Sequence, residues 1–445
     1  MAGGTWTTQN KVRPGVYIRL RSENQQGLTI GERGTVAICE PMSWGPVAQV
    51  MTVEAGADVT PFCGYDITSP QALFLRQIFL GTNRTDGAQK VLLYRPPASG
   101  SAAAAATVGA LTATANYPGA RGNNIALIVT EDPDEEDTFT VSTVVDGEIA
   151  DQQTAQTADT LTANDWVTFS GTGALTATPA TALTGGADGT VQAAAYSDFL
   201  TAIEPYQFDI LIYDGTDATV QSAMVSFVQR LCDDNGQYCQ LVAAGLTAAD
   251  SRYVINVASG VTLEDGTTLT PGQVCWWVGG AEAGASYSES LTYAAYPGAV
   301  AVSPVLANSQ IVAGIQAGKL LLTADYGTVR IETDINSLTT YTTEIGREFR
   351  KNKVIRICNT IANDIYRQFS ESYIGVVNNN EVGRGLFKAA IVGYLLELQA
   401  QQAIQNFTAD DVEVLPGNDI DAIVVNVAIQ VVDAVEKIYM SISIS

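Results

Sequence analysis

Apolar residues in this chain fall into short runs of strand length, separated by segments of helical spacing. That alternation constrains the fold more than any other feature. Residues 35–39 (TVAIC), 90–94 (KVLLY), 208–213 (FDILIY) and 238–243 (YCQLVA) read as buried strands. Between the first two, Ser69-Pro70 reads as a helix start, with Ser as N-cap and Pro as first helical residue. Leu73, Phe74, Gln77 and Ile78 then follow with helical spacing, as do Tyr196, Phe199, Leu200 and Ile203, and a further helix is expected over 218–232. Strands alternating with helices predict an α/β core with a parallel-type sheet.

Residues 97–189 break the alternation. The stretch is rich in Ala, Thr and Gly and has one basic residue, Arg121, against twelve acidic ones. Strand-like runs at 125–130, 138–145 and 166–169, with Ile125, Leu127, Phe139, Trp166 and Phe169 as a small core, predict an inserted β-rich domain. The pattern changes again near residue 320. A strand is expected at 328–335, a long helix within 345–369 (Val354, Cys358, Ile361, Ile365, Phe369) and a second helix over about 385–404 (Phe387, Ile391, Tyr394, Leu395, Leu398). Strands are expected at 422–431 and 435–444.

Both chain ends carry an amphipathic strand pattern. After Pro14-Gly15, Val16, Ile18 and Leu20 alternate with Tyr17, Arg19 and Arg21; near the other end, Ile438, Met440, Ile442 and Ile444 alternate with Lys437, Tyr439, Ser441 and Ser443. A strand that close to a terminus must pair with something, in its own fold or in another chain.

Composition closes off several chemistries. Histidine is absent, so Ser-His-Asp and Cys-His triads and HExxH zinc sites are excluded. The formal charge of −24 disfavours nucleic acid as a partner. The six cysteines (Cys39, Cys63, Cys232, Cys239, Cys275, Cys358) have no CxxC spacing and read as small buried hydrophobes of a reducing compartment. EDPDEED (131–137) departs from a calcium loop at Asp137, where Gly is needed, and at Thr143, where Glu is needed. It reads as a solvated acidic loop. Gly171-Thr172-Gly173 and Gly383-Arg384-Gly385 complete no phosphate-binding fingerprint, and Trp276-Trp277 reads as buried packing. The N-terminus has no apolar signal-peptide region, and no membrane insertion is expected. No catalytic, cofactor or metal site is expected.

The most informative local feature is basic. Residues 344–356 (EIGREFRKNKVIR) place Arg347, Arg350, Lys351, Lys353 and Arg356 against Glu344 and Glu348. In one continuous helix, Arg347, Arg350 and Lys351 extend the stripe of Val354, Cys358 and Ile361. Cations at a helix N-terminus oppose the macrodipole, so this reading calls for an acidic partner surface. The other reading is a solvated charged turn with the helix starting nearer Asn352. Sequence physics leaves both open.

Several motifs in order resemble the contractile tail sheath family of phages and phage-derived bacteriocins. They are PGVYIRLRS (14–22), GTVAICEPMSWGP (34–46), YPGARGNNIALIV (117–129), ETDINSLTTYT (332–342), KNKVIRICNTIANDI (351–365) and VEKIYMSISIS (435–445). The resemblance spans nearly the whole chain and is nearest to sheaths of Gram-positive prophage-like particles. It implies a multi-domain sheath fold: an N-terminal linking arm 1–24, an α/β core 25–96 and 190–325, the insert 97–189, an α+β C-terminal domain 326–434 and a C-terminal linking arm 435–445.

It further implies a structural subunit, not an enzyme, that stacks as hexameric rings around an inner tube and contracts. Implied partners are further copies of the chain, the tube protein, and baseplate and collar or terminator proteins. The chain would be made in a bacterial host cytoplasm and found in a virion tail or released particle. Arms around Val16, Tyr17, Ile18, Arg19 and Leu20 and around Ile438, Tyr439, Met440, Ile442 and Ile444 would link neighbours. The family's tube-holding role is carried onto Arg347, Arg350, Lys351 and Lys353. The alternatives are an α/β enzyme with an inserted domain and a surface-layer or adhesin subunit.

Overall fold

The computed structural model describes residues 33–247 and 249–444, and the backbone alone of 2–4 and 15–17. Its central element is a seven-stranded sheet: β1 (Thr35–Cys39), β2 (Val50–Glu54), β3 (Lys90–Tyr94), β4 (Ile210–Tyr213), β5 (Gln240–Ala244), β6 (Val254–Val257) and β7 (Lys319–Leu320), in the order β7-β6-β5-β4-β1-β3-β2. Every pairing is parallel except the edge pair β2–β3.

Because side chains alternate across a strand, the continuous apolar runs split between two faces. Val36, Ile38, Leu93, Ile210, Ile212, Val242 and Ile255 face one core. There they meet α1 (Leu73–Leu80) and a helix over Pro271–Gly284. Ala37, Cys39, Leu92, Tyr94, Leu211 and Leu241 face the other, under α2 (Ala193–Ile203) and α3 (Ala218–Asp233). Asp217 caps α3 by accepting from the Thr219 and Val220 amides. Ser69 does not cap as expected: Pro70–Ala72 form a 3-10 turn without a side-chain cap, and α1 starts at Leu73. All six cysteines are free, five of them buried.

The helix α4 (Pro271–Gly284) was hidden from periodicity because it is buried all round. Thr270 and Gln273 form a capping box at its start. Trp277 stacks on Tyr296 with ring centroids 3.9 Å apart and donates its indole N–H to the Gly81 carbonyl. Trp276 and Trp277 are therefore core packing. Gly280 lets α4 press against α1: a Cβ there would lie 2.0 Å from the Ile78 carbonyl oxygen.

The insert folds as two sheets around one core. Ile125–Glu131, Phe139–Val145, Glu148–Ala155 and Thr178–Ala182 make the first sheet; Ala105–Val108, Leu111–Ala115 and Val167–Ser170 make the second. Leu111, Ala113, Ile125, Leu127, Val141 and Val167 meet between them. Residues 132–137 form an exposed turn.

The insert's one basic residue is spent on its attachment. Arg121 is buried, donates Nε to the Gly64 carbonyl (2.7 Å) and grips Asp146 with both Nη atoms (2.7 Å each). Its guanidinium also lies 4.2 Å from the Tyr65 ring centroid. Arg95 makes a second tie, to the carbonyls of Gly45 and Pro118.

The chain divides into two compact units. The first, 31–363 with 431–445, holds the central sheet and the insert. In the second, 364–430, the end of a helix over Asn352–Ser372 (α5) packs on α6 (Glu381–Ala400) through Phe369 stacked on Phe387. Tyr394 donates to Asp364 there (2.9 Å). Helix α6 begins at Glu381, before the expected 385, because Asn380 caps it through the Gly383 amide. A two-stranded ribbon, Val412–Pro416 with Ile423–Val427, completes this unit.

Replacing Gly280 with Ala must push α4 off α1, so Gly280→Ala is expected to lower stability by about 1–3 kcal/mol. The control, Gly385→Ala on α6, meets nothing within 4 Å and should be neutral or slightly stabilising. Denaturant unfolding followed by tryptophan fluorescence checks both.

Candidate functional site

The C-terminal strand expected over 435–444 is not formed. Residues 432–444 are irregular, and Ile438, Tyr439, Met440, Ile442 and Ile444 are 77–95% exposed. The physical reason is that a strand with one apolar face needs a ladder partner and a surface to cover, and among the described residues it meets neither. At the other end, Val16 and Tyr17 lie in Gly15–Tyr17, whose backbone runs parallel to Ala2–Gly4. Ile18, Arg19 and Leu20 lie outside the described residues.

The basic segment does not continue the helix. Arg347–Arg350 form a 3-10 turn, Lys351 is extended (ψ 124°), and α5 starts at Asn352. Hydrogen bonding explains the break. Residues 349–352 zip against 334–336: Asn336 donates its amide to the Arg350 carbonyl (3.0 Å) and its side chain to that of Phe349 (2.8 Å). The continuous-stripe reading is thus replaced by the turn-then-helix reading.

The four candidate tube-facing cations also separate. Arg347 is exposed. Arg350 is half-buried, with Nε and Nη2 unpaired. Lys351 forms an ion pair with Glu436. Lys353 is 5% exposed, and burial lowers its pKa against the opposing pull of Asp433.

Arg356 sits in a buried network that sequence reasoning missed. Its Nη1 is ion-paired with Glu282 of α4, and its Nη2 contacts Asp334 (3.2 Å) and the Glu289 carbonyl (2.6 Å). Asn352 donates to Asp334 (2.8 Å) and Glu282 (3.2 Å), and the Leu291 amide donates to Asp334 (3.0 Å). Arg356, Glu282 and Asp334 are all fully buried.

Two acids cannot both ionise cheaply beside one cation. Burial, reinforced by the Asp334 charge, pushes Glu282 well up. Burial also opposes ionisation of Asp334, but the Arg356 charge and the hydrogen bonds outweigh it and hold that carboxyl below its usual range. Of the two carboxyl groups around the Arg356 guanidinium, Asp334 is thus the stronger acid and Glu282 the weaker. The cluster joins α4, the 334–336 segment and the start of α5, and its carboxylate meets the positive end of the α5 dipole. The overlooked signal was a lone Glu in the apolar VCWWVGGAEAGA run.

Among the described residues, no group of three or more Cys, Asp or Glu side chains is placed to hold a metal ion, and no helix is long and apolar enough to cross a membrane.

Comparison with known proteins covers nearly the whole chain. Family models match in four blocks: tail sheath protein Gp18 domain III N-terminal region at 33–95, phage tail sheath protein beta-sandwich domain at 98–188, phage tail sheath protein central domain at 189–337, and phage tail sheath C-terminal domain at 345–445. The phage-like element PBSX protein XkdK of Bacillus subtilis is 34% identical over 100% of both chains. The crystal structure of the sheath tail protein of Desulfitobacterium hafniense superposes with TM-score 0.87 at 43% identity, over 96% of this chain and 99% of that one. The contracted helical sheath of the anti-feeding prophage shares the fold, with TM-score 0.57 at 14% identity over 97% and 99%.

Removing Arg356 strands two buried carboxyl groups, so Arg356→Met is expected to cost about 3–5 kcal/mol. Glu282→Gln keeps the shape and should cost far less. It should also change the pH dependence. With its folded pKa raised, wild-type Glu282 keeps a proton that the unfolded chain releases, so its contribution falls as pH climbs above the ordinary Glu range. Glu282→Gln removes that fall, which denaturant titrations between pH 4 and 9 will read as a flatter profile.

Proposed function

The chain belongs to the phage tail sheath family, and we propose that it polymerises as stacked hexameric rings around an inner tube and contracts to drive that tube through a target envelope. Its role is structural. The observation that carries the assembly reading is the C-terminal arm: five large side chains, Ile438, Tyr439, Met440, Ile442 and Ile444, stand exposed with no partner among the described residues. A monomer gains nothing from such a segment; a polymer that adds it to a neighbour's sheet gains both ladder hydrogen bonds and apolar burial.

The ribbon of 412–416 and 423–427 is a suitable acceptor. Two strands alone are marginal, and Leu415 and Val424 are exposed on it. Strand addition across that ribbon by the arms of neighbouring copies, the N-terminal arm through Val16–Leu20 included, links subunits while tolerating rotation between them. Chains of this fold occur in the contracted helical sheath of the anti-feeding prophage and in its baseplate; by analogy the partners here are further copies and a baseplate, and the sheath reading adds a tube protein and a collar or terminator protein. The particle is assembled in a host cytoplasm.

Of the four basic residues, Lys351 is engaged by Glu436 and Lys353 is buried, so the tube contact falls to Arg347 and Arg350. Charged contacts of this kind are screened by salt and suit an interface that must break on contraction. The insert, acidic everywhere but at its buried Arg121, suits an outer surface.

Truncation after Glu436 is expected to leave the melting transition unchanged and to abolish tubular polymers in negative-stain microscopy. Normal tubes from the truncated chain would overturn the arm reading. With the tube protein present, Arg347→Glu with Arg350→Glu should lose tube-bound assembly while self-polymerisation persists.

A further inference from the structure

We infer that Glu436 pins the root of the C-terminal arm to the core, so that load on the arm enters the Arg356 network and not the 364–430 unit. The inference rests on the assembly reading only for the source of the load; the pin is a feature of the single chain. Residue 435 and residues 437–444 are exposed, yet the Glu436 side chain is only 17% exposed. Both of its oxygens are taken: Oε1 accepts from the Thr292 hydroxyl (2.7 Å), and Oε2 is ion-paired with the Lys351 ammonium. A carboxylate held at two points fixes direction as well as position. Half-buried, the pair is screened by salt less than an exposed one.

The pin leads inward. The Thr292 hydroxyl that donates to Glu436 also accepts from the Asp334 amide (2.9 Å), and Asp334 is held by Arg356, Asn352 and the Leu291 amide. Lys351 immediately precedes Asn352 of the same network. Asp433, three residues before Glu436, acts on Lys353, so a second acid of the arm root faces the start of α5. Residues 431–445 accordingly group with the core although 364–430 form the other unit. What remains free starts at Lys437 and reaches about 30 Å when extended.

Trypsin reads the pin directly, because cleavage after Lys437 requires several residues on each side to be free. Lys351→Met and Thr292→Val leave the arm sequence untouched. Each should speed cleavage at Lys437 about tenfold, as expected when cleavage tracks the open population; Lys351→Met should leave melting unchanged, whereas Thr292→Val also strands the Asp334 amide and should melt lower. The exchanged pair Lys351→Glu with Glu436→Arg, read with a lysine-specific protease that ignores the new arginine, should return slow cleavage at Lys437. Unchanged rates in both single variants would overturn the pin. Rescue on mixing Lys351→Glu chains with Glu436→Arg chains, read with the same lysine-specific protease, would also overturn it, by placing the contact between chains.

Microscopy of the same samples separates the two readings. Wild-type chain that cleaves slowly, responds to the variants and never forms tubes supports the pin and sinks the sheath assembly. Tubes with cleavage indifferent to Lys351 and Thr292 sink the pin alone.

Discussion

The Arg356 guanidinium, shut away with Glu282 and Asp334, is the interaction on which the architecture turns. Three parts of the chain distant in sequence meet there: the buried helix α4, the segment leaving the central sheet, and the start of α5. A buried ion cluster gives little net stability over well-packed apolar groups. What it gives is register. One planar fork matched to two carboxyl groups admits one placement of the start of α5 against α4. The same logic recurs at the insert, where Arg121 fixes the only basic group of an acidic domain against Gly64, Asp146 and Tyr65.

Four of the seven strands of the central sheet were legible because each is a short continuous apolar run, and a parallel sheet covered on both faces requires such runs; Val50–Glu54, Val254–Val257 and Lys319–Leu320 were not. Strands 35–39 and 90–94 fall where expected. Helix α4 was not legible, since burial on all sides erases the periodicity that marks an amphipathic helix. The 328–335 strand is shorter than expected, Thr328–Ile331, because Asp334 and Asn336 are drawn into hydrogen bonds with the 349–352 segment and the polar cluster. The 435–444 pattern has the right period for a strand, but period alone cannot supply the partner that a strand needs.

The basic stretch 347–356 shows how a correct physical demand can be met from an unexpected side. Cations beside a helix start call for nearby acid, and much of that acid comes from this chain: Glu436 for Lys351, Asp433 near Lys353, Glu282 and Asp334 for Arg356. Charge counted along a sequence says which signs must meet; it does not say that they lie 22 to 85 residues apart on one chain. Of the five basic residues in this stretch, Arg347 is the exposed one.

A chain that displays Ile438 through Ile444 carries its own adhesive, with no charged residue after Lys437 to blunt it. Such a segment on a neutral protein would glue freshly made copies together at random. Here the chain as a whole carries a net charge of −24, so two copies in arbitrary orientation repel once their bodies come within about 10 Å, which limits how far a chance arm contact can grow. Contact becomes productive only along approaches that neutralise or avoid the acidic surface. Solubility and order of assembly are thereby the same electrostatic property, and dissolved salt sets how fast the stock of free chains is consumed.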